Sequence, residues 1–402
     1  MSPRGPRVGL WGLLGSGNVG NDISMQSVLR YLRTHHPDAV VDAMCMGPDR
    51  VRGDIGIGAI PLLWYQQFEG RVSGLPATVL KAAGKLIDAG RTAAWVCRHD
   101  VVIVPGMGVL EASTPINPWG VPYALFLLCA CGRLFRARVA LVSVGATIIK
   151  QPGVRWFSNW AARLAYYRSY RDARSRDAMR QRGLDVREDR VFPDLVFAIP
   201  PASTAPGDQK TVGVGIMTYY GTNDDRSRAD AIHAAYTQTM TRFIRWLLDD
   251  GRSVRLFVGD SADAAALAEI TAALARSHPR LAAGRLIAER ITTFDELMAA
   301  MLPASCVVAT RYHNVMCALK LGKPAISIGY STKNISLMED TGLPEFWQHA
   351  NDVDFDRLIE QFTKLEANSA QLRATIAERN AELAAKLNDQ FALLDAVLFA
   401  GS

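Results

Sequence analysis

Two segments late in the chain concentrate groups able to do chemistry. Val307-Val308-Ala309-Thr310-Arg311-Tyr312-His313-Asn314 sets a guanidinium and an imidazole just past an apolar run. A helical stretch closed by Gly322 follows. Then Ala325-Ile326-Ser327-Ile328-Gly329-Tyr330-Ser331-Thr332-Lys333 ends a second apolar run in a phenol and an ammonium. Buried runs of this kind are parallel strands, and open α/β sheets bind ligands beyond the carboxyl ends of such strands. Arg311, His313, Tyr330 and Lys333 therefore fall at adjacent strand ends around one pocket. Fixed cations beside an imidazole suit an anionic substrate and proton transfer.

Three earlier segments are candidates of lower specificity. Gly15-Ser16-Gly17-Asn18-Val19-Gly20 is a literal G-x-G-x-x-G, with Asp42 about twenty residues on, which mimics the dinucleotide fingerprint. The loop is unusually polar, and Asp42 falls mid-strand rather than at a strand end. Gly15, Gly17 and Asn18 then read as a loop that brings backbone N–H groups close to a phosphate or carboxylate. The turn Pro105-Gly106-Met107-Gly108-Val109-Leu110-Glu111 allows close approach by a ligand or by a neighbouring chain segment. Arg171-Asp172-Ala173-Arg174-Ser175-Arg176-Asp177 reads either as a salt-bridged helix start or as a face from which Arg174 or Arg176 grips an anion. Asp194 reads as a turn former or a cleft residue, and Thr293 with Glu296 as a capping box. No HExxH, His-Cys cluster or Walker loop occurs, so no metal site is expected.

The elements that must carry these residues follow from the spacing. Strands are expected at Val8–Leu14, Val40–Met46, Asp100–Pro105, Ala137–Val144 and Asp189–Pro193, with helices between them. A proline-rich linker covers 199–210. The pattern restarts with strands at Thr211–Met217, Ser253–Val258, Arg285–Ala288, Cys306–Ala309 and Ala325–Ile328. Helices are expected at Ala229–Asp249, Ser261–Ser277, Phe294–Met301 and Tyr312–Leu321. The fold class is α/β: two Rossmann-like parallel-sheet domains facing a cleft, 1–198 and 211–352, with a C-terminal helical segment, 353–402, packing back.

Composition limits the partners. The chain has 402 residues, too many for one ordinary domain. The excess of 45 Lys+Arg over 39 Asp+Glu is modest, and the densest arginine cluster is interrupted by aspartates, so no nucleic-acid partner is expected. Six cysteines without a CxxC pair read as reduced core thiols. The longest apolar stretch, Val121 to Cys131, is about half of the roughly 20 residues that a spanning helix needs. The opening residues faintly resemble a signal peptide but lack a small-residue cleavage site and read as the first strand. The expectation is a cytoplasmic protein, with peripheral contact at the inner membrane surface left open.

Taken in order, these segments resemble the polysaccharide pyruvyl transferase family. The matching pieces are Gly15–Asp22, Pro105–Glu111, Ser143-Val144-Gly145, Arg171–Asp177, Pro193-Asp194-Leu195-Val196-Phe197, Arg311-Tyr312-His313 and Ile328–Lys333, spanning about residues 8–335. Asn21 intervenes where the family usually has Gly directly followed by Asp. The resemblance implies a GT-B-like fold, phosphoenolpyruvate as donor substrate with no further cofactor, and a glycan or lipid-linked saccharide diol as acceptor. The product is a cyclic pyruvate ketal, with release of phosphate. In that setting His313 and Arg311 are the catalytic candidates. Lys333, Tyr330, Arg174, Arg176, Gly15, Gly17 and Asn18 are the donor-binding ones. Asp22, Gly106, Gly108 and Glu111 are placed on the acceptor side, where Trp64, Tyr65 and Phe68 stack on sugar rings or simply pack. A helix N-terminus disfavours the imidazolium of His313; a bound phosphate dianion favours it. The expectation is that His313 protonates mainly when donor is bound. A GT-B glycosyltransferase using a sugar nucleotide, a non-catalytic glycan-binding protein and, more weakly, an NAD oxidoreductase remain as other readings.

Overall fold

In a computed structural model the described residues are 5–400 except 69–73, 113–115, 201–206, 278–283, 290 and 292. The chain forms two compact units. The first comprises Met1–Ser16, Gly20–Ile199 and Ala385–Ser402; the second comprises Gly17–Val19 and Pro200–Ala384.

The first unit runs β1 (Arg7–Gly12), α1 (Val19–His35), β2 (Val40–Cys45), β3 (Gly58–Pro61), α2 (Gly74–Val96), β4 (Val101–Pro105), α3 (Val121–Phe135), β5 (Arg138–Val144), α4 (Pro152–Leu164), β6 (Tyr167–Tyr170), α5 (Ala173–Gln181) and β7 (Arg190–Val191). Its seven-stranded sheet has the order β3-β2-β1-β4-β5-β6-β7, and every recorded pairing is parallel. β4 is buried at all five positions, as a parallel strand covered on both faces must be. The sheet reverses direction between β1 and β4, where a ligand crevice belongs in an open α/β sheet.

The second unit runs β8 (Asp208–Ile216), α6 (Ala229–Asp249), β9 (Ser253–Val258), α7 (Ala264–Ser277), β10 (Leu286–Ala288), α8 (Phe294–Met301), β11 (Ala304–Ala309), α9 (Tyr312–Lys320), β12 (Ala325–Gly329), α10 (Thr332–Asp340), β13 (Trp347–His349), α11 (Phe355–Ala367) and α12 (Ser369–Leu394). Its sheet has the order β10-β9-β8-β11-β12-β13, again parallel throughout. Here the reversal lies between β8 and β11.

Several boundaries differ from expectation. The first strand stops at Gly12, whose φ of 144° only glycine adopts readily, rather than at Leu14. Residues 208–210, expected in the linker, open β8, with Asp208 N–H bonded to the Pro303 carbonyl. Residues 201–206 of that linker lie outside the described residues. Strands β3, β6 and β13 were not expected. They are short, and their sequences GAIP, YRSY and WQH lack a Val/Ile run. The C-terminal segment is divided: α11 belongs to the second unit, and α12 begins there and ends in the first. Within the first unit its end is anchored by Gln390, fully buried, which bonds Ser143 and Ser169, and by Arg138, which donates to the Leu398 carbonyl. Five of the six cysteines are buried and Cys97 is exposed. Burial pushes the thiols of Cys45, Cys129 and Cys306 up to about 12, which suits core packing rather than nucleophilic work.

Candidate active site in the second unit

The site is built on two successive strand–helix units of the same design. β11 leads to Arg311 at the N-cap of α9, and β12 leads to Ser331 at the N-cap of α10. Each helix is nine residues long. Each ends in a Schellman arrangement. Gly322, at φ 69°, donates to the Leu319 carbonyl while Lys323 N–H reaches Ala318. Gly342, at φ 79°, donates to Glu339 while Leu343 N–H reaches Met338. The two first turns then align residue by residue. His313 and Lys333 occupy the second helical position, Asn314 and Asn334 the third. β11 and β12 are hydrogen-bonded neighbours, so the imidazole and the ammonium stand at adjacent strand ends, as the sequence suggested. Neither N-cap side chain bonds its own helix. Both N-termini keep the partial positive charge that favours anions.

Arg311 does something other than hold out a free fork. Its Nε and Nη2 donate to the two carboxylate oxygens of Asp263 at 2.8 and 2.7 Å. Asp263 is fully buried and also accepts the Thr218 backbone N–H at 3.0 Å. Burial opposes the guanidinium's charge, but the Asp263 bonds outweigh it and its pKa is raised. The pair ties the start of α9 to the segments following β8 and β9, at the point where the sheet reverses. Beside it Thr310, fully buried, shares a 2.8 Å hydrogen bond with Tyr236. Burial pushes the Tyr236 phenol up to about 12, so it stays neutral.

Asn314 and Asn334 are both fully buried. Neither amide atom of Asn314 has a hydrogen-bond partner among the described residues, and Oδ1 of Asn334 has none either. Glycines leave room for them. A Cβ on Gly259 would lie 2.5 Å from Asn314 Oδ1, one on Gly215 2.8 Å from its Nδ2, and one on Gly329 2.5 Å from Asn334 Cβ. Lys333 is fixed by aromatic rings: its Nζ lies 5.3 Å from the Tyr312 centroid and 5.9 Å from that of Tyr330. Tyr330 rests on buried Tyr219 at 5.8 Å, and the ring of His313 meets Tyr312 edge-on at 5.3 Å. Tyr330, His313 and Lys333 are partly exposed. Sequence reasoning missed Asp263, Asn314 and Asn334. Only the recurrence of Asn five residues after each strand end gave a signal.

Most of the other candidates lie in the first unit. Gly15 N–H donates to Asp22 Oδ1 at 2.7 Å, and Gly15, at φ 69°, lies against the Gly47 backbone. Burial raises the Asp22 carboxyl. Gly17, at φ 88°, and Asn18 belong to the second unit, the one that carries His313 and Lys333. Asp42 accepts from Trp95 at 2.7 Å and pairs with His99 at 3.0 Å, mid-strand in β2, which removes it from any ribose role. Gly106 packs against Ser24 and Leu195, while Gly108 and Gly145 flank the Glu111 carboxylate. Glu111 pairs with Arg171. Arg171 follows β6, is buried, and also lies 3.9 Å from Asp194, whose side chain accepts from the Val196 N–H at 3.2 Å. Arg174 is exposed on α5, whose N-terminus is already capped by Asp172. Thr293 and Glu296 form the expected capping box. Tyr65 lines a cleft of about 630 Å³ with Gln66, Lys81, Lys85, Asn117 and Trp119, whereas Trp64 and Phe68 pack on each other at 4.8 Å. Among the described residues no group of three or more His, Cys, Asp or Glu is placed to hold a metal ion.

The fold has solved counterparts. UDP-GlcNAc 2-epimerase from Neisseria meningitidis, bound to UDP-GlcNAc, superposes with a TM-score of 0.59 at 10% identity over 95% of this chain and 99% of that one. A putative UDP-N-acetylglucosamine 2-epimerase from Listeria monocytogenes gives 0.60 at 11% identity over 96% and 97%. TcCGT1 in complex with UDP gives 0.56 at 10% identity over 98% and 100%. At such identities the likeness concerns the fold alone, a pair of parallel-sheet α/β domains of the GT-B type. No curated protein sequence matches the chain. A family model does: with residues 18–332 matched, a span that holds Arg311 and His313 and stops one residue short of Lys333, the chain belongs to the polysaccharide pyruvyl transferase family.

Proposed function

We propose that the chain transfers the pyruvyl group of phosphoenolpyruvate to two hydroxyls of a sugar, on a glycan or lipid-linked saccharide, forming a cyclic ketal and releasing phosphate. The observation that carries this reading is the twin placement of His313 and Lys333 at the same turn of α9 and α10, above adjacent strands. Phosphoenolpyruvate brings a phosphate and a carboxylate. Two helix N-termini and one ring-held ammonium match that pair of anions. Arg311, bound to Asp263, serves as a positioning residue that fixes the first turn of α9.

His313 then delivers its proton to the methylene carbon, which becomes a methyl group, and positive character develops at the neighbouring carbon. The first sugar hydroxyl attacks there and its proton returns to the imidazole. The bond from that carbon to the phosphate oxygen breaks. The second hydroxyl closes the ring, and its proton leaves with the phosphate. A positioned acid of this kind contributes roughly 10²–10⁴ in rate. The bound dianion stabilises the imidazolium, so acid and substrate arrive together. The test is incubation with phosphoenolpyruvate and a panel of saccharide acceptors, read by mass spectrometry. The expected result is a gain of one pyruvate less one water, with equimolar phosphate; absence of that product across the panel, with turnover of a sugar nucleotide instead, would overturn the reading.

A further inference from the structure

We propose that the outer face of α3 and α4 in the first unit docks on an anionic lipid bilayer. Residues 112–171 hold eight Lys and Arg and not one Asp or Glu. At the chain-wide frequency of 39 in 402, sixty residues would carry about six carboxylates. The same stretch exposes large apolar side chains. Of the eleven large hydrophobic residues exposed among the described residues, nine lie in the first unit, and eight of those fall between Leu86 and Tyr166.

The geometry makes one amphipathic face of them. On α4, Val154, Ser158, Ala161 and Ala162 point inward and are buried. Trp156 and Trp160, one turn apart, are 51% and 40% exposed, with Arg155 and Arg163 exposed beside them. The Arg163 guanidinium sits 5.4 Å from the Trp160 ring. α3 adds Phe126, 5.5 Å from Trp156, and ends in exposed Arg133, Leu134, Phe135 and Arg136. Phe157 links Trp156 to Trp119, which is 53% exposed and also lines the Tyr65 cleft. On the neighbouring α2, Asp88 is buried and lies 3.7 Å from Lys85 and 3.6 Å from Arg91, so it does not offset this charge at the surface.

Tryptophan rings with interleaved arginines and no carboxylates are the composition of a surface that sits at the headgroup level of a negatively charged membrane. A second copy of the chain is a poorer occupant, because a two-fold contact would set this cationic face against itself. No helix among the described residues is long and apolar enough to cross a membrane, so the contact is peripheral. It stands apart from the donor chemistry and does not depend on it.

Flotation of the full chain with vesicles tests this. Phosphatidylcholine vesicles containing phosphatidylglycerol should carry the protein, pure phosphatidylcholine much less, and high salt should release it. Each basic residue at an anionic surface changes partition by about five-fold. Arg155→Glu with Arg163→Glu should therefore lower it at least about 25-fold, and Trp156→Ser with Trp160→Ser about 10-fold or more. Circular dichroism melting of each variant guards against misfolding. Absence of wild-type flotation on anionic vesicles would overturn the proposal, as would well-folded variants that float like wild type. Light scattering that finds a wild-type dimer converted to monomer by these substitutions would assign the face to self-association instead.

Discussion

Replacement of Arg311 by Ala separates positioning from direct substrate contact. Asp263 is fully buried and has three recorded donors: two nitrogens of Arg311 and the Thr218 N–H. Removing the guanidinium leaves the carboxylate with a single backbone donor. Breaking a buried pair in this way costs about 3–5 kcal/mol, and the surviving Thr218 bond puts the expected value near the lower end, about 3 kcal/mol. In a domain of this size that lowers Tm by about 6–12 °C. Asp263→Asn keeps one acceptor oxygen, for Arg311 Nη2 and the Thr218 N–H, and sets an amide NH2 against Arg311 Nε; with most of the bonds kept it should cost less, about 1–2 kcal/mol. Arg311→Lys loses the two-pronged geometry but keeps a cation and should fall between them. The assay is thermal denaturation of each purified variant beside phosphate release from phosphoenolpyruvate. An Arg311→Ala protein that melts within 2 °C of wild type, on the order of the effect of a surface change, yet releases phosphate more than about 100-fold slower would refute the positioning role. It would put the guanidinium on the substrate.

Other consequences are as specific. His313→Gln should leave Tm within a few degrees and lower turnover by about 10²–10⁴, read as kcat for phosphate release. Lys333→Met should raise the KM for phosphoenolpyruvate by about 10–100-fold with Tm little changed, since a charge-assisted contact contributes about 1.5–3 kcal/mol. Gly259→Ala should destabilise by about 1–3 kcal/mol in chemical denaturation, because its methyl would collide with Asn314, itself walled in by Gly215. Burial lowers the ammonium groups of Lys320 and Lys323 to about 8 from 10.5. Between about pH 8 and 10.5 the unfolded chain therefore binds more protons than the folded one, and these two groups make stability rise with pH over that window. Lys323→Met should flatten the rise by on the order of 1 kcal/mol per pH unit, measured as the difference in unfolding free energy from wild type.

How far the site could be read from the chain depended on the reach of each signal. β11 and β12 are buried on both faces, so their apolar runs were plain, and the residues at their ends could be placed without coordinates. Asp263 was hidden because its partner is 48 residues away and it sat inside a stretch expected to be helix; in fact Ser261–Asp263 is a separate 3₁₀ turn ahead of α7. The place of Arg171 was hidden for a different reason. Tyr167-Arg168-Ser169-Tyr170 looks polar, yet it is a strand whose Ser169 and Tyr170 are fully buried, the latter bonded to Asp189. Missing that strand shifted attention from Arg171, at its end, to Arg174 and Arg176 on the following helix. The glycines of the first loop were visible as a motif, but nothing in their spacing pointed to the engagement of Gly15 by Asp22 and Gly47.

Ligand-dependent thermal stabilisation decides whether the paired N-termini of α9 and α10 hold phosphoenolpyruvate. Anything that binds the folded chain alone raises Tm with concentration. Wild type should be stabilised by millimolar phosphoenolpyruvate and not by UDP or UDP-sugars, and Lys333→Met should lose that response while melting normally without ligand. Stabilisation by UDP with none from phosphoenolpyruvate, or an undiminished phosphoenolpyruvate response in Lys333→Met, would show that these N-termini do not hold the donor.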